Sequence, residues 1–145
     1  MTTVNKEFEI KLEESNGQLT LAITGYIGKA EKVIIPEFIG EIPVTTVKSL
    51  GYYPEYYHKR VTVVILPKSV VSIEKHAFND FENIREIVVD EQNPVYASYD
   101  GVLFDKNMTT LILHPYGKEG DYTVPDSVNT IVSQSFFCCF SAASH

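Results

Sequence analysis

The sequence predicts a repeat solenoid, mainly β with short helical or 3₁₀ turns, and three observations carry that prediction. The segment from Pro67 to Phe81 recurs from Pro125 to Cys139: Pro67, Ser69, Val70, Ile73, Ala77 and Phe78 align without a gap on Pro125, Ser127, Val128, Ile131, Ser135 and Phe136. A second pattern has apolar positions spaced three and then two residues apart. It fits Ala30/Val33/Ile35, Val61/Val64/Leu66 and Ile84/Ile87/Val89, and its last two positions fit Tyr122/Val124. Proline closes the pattern at Pro36, Pro67 and Pro125, where a residue without an N–H ends a strand.

The chain opens on a predicted β-hairpin over residues 7–24. Phe8, Ile10 and Leu12 alternate with charged neighbours, Leu19, Leu21 and Ile23 alternate with Gln18, Thr20 and Ala22, and Asn16-Gly17 supplies the positive φ angles of a tight turn. Its apolar face needs a cover, which suits a cap on the stack. Residues 25–92 read as the first coils. Each unit has too little apolar surface to bury alone, so units stack and share one core. The small-then-aromatic pair Ala77-Phe78 turns the chain, with the ring as plug. Residues 93–121 read as an inserted unit, with strands at Val102–Phe104 and Thr110–Leu113 around the turn Asp105-Lys106-Asn107. Within it Asp100–Leu113 is expected to form a hairpin whose excision shortens the sheet and leaves the coils standing. Residues 122–145 form a last, incomplete coil, so that 1–145 is a single repeat domain. Matching template positions place Ile73, Phe78, Ile87, Val89, Val128, Ile131 and Phe136 in one buried column.

Composition narrows the function. The 145 residues fit one domain, which buries roughly 70% of the surface its unfolded chain exposes. Hydrophobic content of 44% and charged content of 21% are ordinary for a folded protein and exclude disorder over most of the length. A net charge of −7 argues against nucleic-acid binding and against docking on anionic membranes, since His58-Lys59-Arg60 is the nearest thing to a basic run. No apolar run reaches the ~20 residues of a membrane helix, and residues 1–7 carry no signal-peptide pattern.

These residues resemble the BspA-like, or Treponema pallidum type, leucine-rich repeats, whose unit is similar to I-P-x-S-V-x-x-I-x-x-x-A-F-x-x-C. Leu66-Pro67 through Phe81 and Val124-Pro125 through Cys139 look like that unit. Gly25–Gly28 and Ile39–Thr45 look like the family's opening coil, and Asn93-Pro94 through His114-Pro115 like its longer connecting unit. The likeness covers about residues 20–140. Phe81 stands where the family often has Cys, and Gly51-Tyr52 stands where other coils have Ala-Phe. The resemblance implies a leucine-rich-repeat solenoid that binds protein or glycan at a cell surface or after secretion, as an adhesion-type module without catalysis or cofactor. The alternative is a structural end fragment of a longer solenoid, or a unit that self-associates through its open C-terminal coil.

Candidate sites are few. Tyr52 to Arg60 is rich in tyrosine, which gives large contact area at low rotamer cost. Tyr53, Tyr56 and Tyr57 are therefore the predicted partner-binding residues, against the reading that these rings pack inward as a local lid. His58, His76, His114 and His145 lack metal-ligand spacing and read as surface or turn residues. Adjacent Cys138 and Cys139 form no disulfide framework. Asp80/Glu82 and Asp90/Glu91 read as solvated loop charges. No nucleophile elbow, phosphate-binding glycine loop or H-E-x-x-H motif occurs, so no catalytic residue or metal ligand is predicted.

Overall fold

The computed structural model describes residues 7–51, 60–78, 81–132 and 142–143. Asn16 and Gly17 have φ angles of 51° and 80°, and they join β1 (Phe8–Ser15) to β2 (Gln18–Tyr26) as an antiparallel hairpin. From β2 onward the chain winds into a solenoid of about four turns that carries almost no helix. Two ladders run along it. On one side β5 (Ile42–Val47) lies parallel to β2 and β7 (Ser72–Ile73) parallel to β5, while β4 (Phe38–Ile39) folds back on β5. On the other side β3 (Lys32–Ile34), β6 (Val63–Leu66) and β8 (Glu86–Val89) form a parallel sheet.

The register of that second sheet explains the spacing in the sequence. Val33 pairs with Val64 and Val64 with Ile87, and all three are buried. Ile35, Leu66 and Val89 follow in the next buried row, and Val61 lies inward beside Ile84. Ala30, the first member of that template, is exposed, and its N–H donates to the hydroxyl of buried Tyr26 at 3.0 Å. In the first coil Leu50 is fully buried, while Tyr52, at the place of the plug ring, lies outside the described residues. The Leu50 amide reaches Ala77 O at 3.0 Å, and the Leu50 carbonyl accepts from Tyr26 N at 2.8 Å. Phe81, the departure from the family's Cys, is fully buried.

Both copies of the Pro-x-x-Val template make the same bonds. Val70 N donates to Pro67 O and Val128 N to Pro125 O. Val71 and Asn129 donate to the previous layer at Thr45 and Thr109, and Glu74 and Val132 do so at Val47 and Leu111. The segment after Ile73 is a run of single turns, with i→i+3 bonds from Ala77 to Glu74, Phe81 to Phe78 and Ile84 to Phe81.

The inserted unit is larger than a hairpin. Asp100-Gly101, at φ 53° and 79°, is a second tight turn, and it pairs β10 (Val102–Asp105) with an extra strand, β9 (Tyr96–Tyr99). The next strand, β11 (Thr110–Leu113), completes the antiparallel unit and takes β13 (Thr130–Ile131) parallel on its far edge. In a further pair, β12 (Tyr122–Thr123) lies parallel to β14 (Ala142–Ala143). The Asp105 carboxylate holds the turn, accepting from Thr109 N and Thr110 N at 2.8 Å each and from the Thr109 hydroxyl at 2.7 Å. Burial pushes its pKa up, but these bonds outweigh burial and hold it below the usual aspartate value.

This unit divides the core. Leu103 packs into the main cluster with Phe78, Ile87 and Val89, against which Ile73 is half-buried. Val102 and Phe104 face a second cluster with Leu111 and Tyr122, and Val128 packs partly against that one. The single column expected from the sequence is therefore two clusters, because β10, buried on both faces, stands between the coils as a shared wall. Ile131 is a correction: it is 37% exposed, since β13 gains a neighbour only on its β11 side among the described residues. Phe136 lies outside the described residues, as do Cys138 and Cys139. Residues 100–113, whose excision the sequence reading expects the coils to survive, supply four fully buried core side chains, Val102, Leu103, Phe104 and Leu111, so their removal takes away core as well as sheet.

Asn93 pins the unit to the coil before it. Its side chain is fully buried, donates to Pro67 O at 2.9 Å and Val70 O at 2.8 Å, and accepts from Val95 N and Tyr96 N at 2.8 Å each. All four hydrogen-bonding positions of the amide are used. Asn93→Ala strands four backbone groups and should cost about 3 kcal/mol or more in urea unfolding; a loss under about 1 kcal/mol would show that the pin is not structural.

His114 corrects the surface assignment of the histidines. It is 1% exposed and meets Tyr122 edge-on, with ring centroids 5.0 Å apart. Burial, and then the Lys118 charge, hold its pKa below the usual histidine value, against the Pro115 backbone and Asp100. The unfolded chain thus takes up this proton more readily than the folded one. The stability due to neutral His114 is complete above about pH 6.5 and is lost as pH falls below it. Melting temperature should drop between about pH 7.5 and pH 5, and the drop should shrink in His114→Gln; identical slopes in both proteins would exclude this role.

Candidate functional site

The residues that lead into each strand of the β3–β6–β8 sheet build a cleft. Val61 and Ile84 point inward, so their neighbours point outward, and the coil repeat stacks those neighbours in rows. One row is Lys29, Arg60 and Asn83; the other is Glu31, Thr62 and Arg85. Glu31 O accepts from Thr62 N at 2.8 Å and Val63 N at 3.3 Å, and Thr62 O accepts from Arg85 N at 2.7 Å and Glu86 N at 3.3 Å. The same forked bond thus sets both steps of the stack.

The loop Tyr116–Glu119 closes the far side. Gly117 N donates to Ile84 O at 2.7 Å, and a Cβ on Gly117 would stand 2.7 Å from Asn83 C and O. Only glycine lets the loop lie this close. The resulting cleft has a volume of about 870 Å³. Lys29, Arg60 and Arg85 line it together with Glu31, Glu82 and Glu119, a balanced set in a chain of net charge −7. Arg60 and Arg85 are the only arginines in the sequence, and both line this cleft. Beside it, the outer face of the sheet carries an apolar row, Ile34, Ile65 and Val88, of which Ile34 is 59% exposed.

The cleft was not anticipated from the sequence, although the template contains the signal: flanking its first positions Ala30, Val61 and Ile84, of which Val61 and Ile84 are buried, places 29/31, 60/62 and 83/85 together on one edge. Tyr53, Tyr56 and Tyr57, the predicted contact residues, lie outside the described residues, as do His58 and His145. His76, Glu82, Asp90 and Glu91 are exposed. Among the described residues no group of three or more His, Cys, Asp or Glu side chains converges as a metal site requires. A second depression, of about 610 Å³, lies on the other sheet between the hairpin end and Thr45-Thr46, with Glu13 tied to Lys48 at 2.8 Å.

No protein-family model and no curated protein sequence matches the chain. Solved structures do. A leucine-rich-repeat protein of T. pallidum is 24% identical, with a TM-score of 0.59 over 99% of this chain and 71% of that one. A leucine-rich cell surface protein of Faecalibacterium prausnitzii is 16% identical, with a TM-score of 0.58 over 99% of this chain and 42% of that one. The pneumococcal vaccine antigen PcpA is 22% identical, with a TM-score of 0.55 over 73% of this chain. The match takes in only 31% of the antigen's length. At these identities the likeness establishes architecture, and the chain is folded as a leucine-rich-repeat solenoid.

Proposed function

We propose that this chain is a non-catalytic recognition module of the adhesion type, displayed at a cell surface, that takes a protein or glycan ligand in the cleft beside the β3–β6–β8 sheet. The observation that carries this reading is the cleft itself, where three successive layers present outward polar side chains at one edge. Its volume falls within the range of ligand sites, and the apolar row beside it offers further contact area. The names of two structural neighbours, a cell surface protein and a vaccine antigen, agree with it. Tyr53, Tyr56 and Tyr57, shortly before Arg60 in the chain, are proposed as a second contributor.

The test is binding of the whole chain to arrays of extracellular-matrix proteins and of glycans. The double variant R60Q/R85Q should lose its ligand while melting as the parent does, because both side chains are exposed. Replacing Tyr53, Tyr56 and Tyr57 by Ala should weaken binding and shift stability by no more than about 1 kcal/mol. Ligands held equally well by R60Q/R85Q, or no ligand on either array, would refute the assignment. Self-association is the second reading, and the exposure of Ile131 on β13 favours it. It requires a dimer in light scattering that Ile131→Lys returns to monomer.

A further inference from the structure

We infer that the cleft selects a sugar bearing a carboxylate, a uronic-acid or sialic-acid residue of a glycan, and that Arg60 and Arg85 bind that carboxylate. The inference rests on the cleft being the ligand site. Guanidinium groups present planar forks that match a carboxylate bidentately, which lysine cannot do. The chain has ten lysines spread along its length but only two arginines, and the coil register brings both to this cleft. Lys29 adds a third cation one layer further on.

The rest of the lining defines what surrounds that carboxylate. Glu31, Glu82 and Glu119 accept hydrogen bonds and suit hydroxyl donors, Thr62 and Asn83 both donate and accept, and Tyr116 offers a ring for the apolar face of a pyranose. Three carboxylates among three cations would repel a polysulfate or polyphosphate chain, whose charges would also meet the protein's net −7. A single carboxylate among many hydroxyls escapes that penalty. An extended acidic peptide fits less well. The backbone donors along this edge, at Thr62, Val63, Arg85, Glu86 and Gly117, are already given to the neighbouring layer. Strand addition therefore finds no row of amides here.

Calorimetric titration of the intact chain tests this, with saturation-transfer NMR as the second readout. The probes are sialyllactose, a disaccharide ending in glucuronic acid, the carboxyl-reduced form of each, lactose, a heparin disaccharide and an acidic peptide. At least one carboxylated sugar should bind about tenfold or more tighter than its reduced form, and the two acids distinguish sialic from uronic sources. R85Q and R60Q should each weaken it about tenfold or more, R85K should restore little, and K68Q, outside the cleft lining, should change nothing. Equal affinity for reduced and carboxylated sugars would overturn the inference. So would tighter binding of the sulfated heparin disaccharide than of the unsulfated glucuronic-acid disaccharide, which would put the affinity in sulfates and not in a carboxylate. Preference for the peptide, or no binding of either acid below about 10 mM, would overturn it too. If a different ligand is lost in R60Q/R85Q, the cleft remains the site and the sugar class is wrong. If every ligand found ignores that variant, the site assignment itself falls.

Discussion

Everything in this molecule depends on the register that sets Val33 beside Val64 and Val64 beside Ile87. A single coil offers a few apolar side chains and a backbone whose N–H and C=O groups point along the solenoid axis. Alone it can neither bury the former nor pair the latter. Stacking at the strand spacing of about 4.8 Å does both at once. A slip of one residue would turn the inward row outward and expose the core face, so the apolar pattern and the hydrogen-bond ladder enforce the same alignment. The cleft is a by-product of this constraint. Arg60 and Arg85 are 25 residues apart in sequence, yet they stand on adjacent layers because their inward neighbours, Val61 and Ile84, must.

The inserted unit changes how the stack continues. Among the described residues β8 has no further parallel strand beside it; Ile87 N donates to Gly101 O and Val89 N to the Ser98 hydroxyl. The edge is thus satisfied by the antiparallel unit, and β10 carries the core onward by burying Leu103 on one face and Val102 with Phe104 on the other. Asn93 holds the junction where a run of backbone leaves the ladder, and a buried polar side chain is suited to that place because the freed carbonyls at Pro67 and Val70 need donors. Gly117 acts on the other side of the same junction, where it presses the returning loop onto Asn83 and Ile84.

The fold was legible because burial repeats. Apolar spacing is set by which side chains face inward, so Val64/Leu66 and Ile87/Val89 announced their rows, and the gap-free recurrence of Pro67–Phe78 announced the turn. β9 was missed because Tyr96-Ala97-Ser98-Tyr99 follows a proline and carries little apolar alternation, although Asp100-Gly101 after it is as strong a turn signal as Asn16-Gly17. Ile131 was misplaced because template equivalence with Ile73 says which way a side chain points and not whether a layer covers it. His114 was misread for the converse reason: its type suggests a surface, while its position in Leu111-Ile112-Leu113-His114 lies on a strand end packed against Tyr122. The cleft left no compositional mark, since Lys, Arg, Glu and Asn have no preferred spacing. Its residues are brought together by coil geometry, which must be worked out before a site can be seen.

Native-state hydrogen exchange measures the stacking directly, one layer at a time. The amides of Ile35 and Thr62 join the first and second layers of the β3–β6–β8 sheet, and those of Arg85 and Asp90 join the second and third. If the layers are stable only as a stack, all four should exchange with one opening free energy, equal to that of global unfolding. Opening of Ile35 and Thr62 at a free energy several kcal/mol below that of Arg85 and Asp90 would contradict this, because the first coil would then come away while the rest of the stack stands.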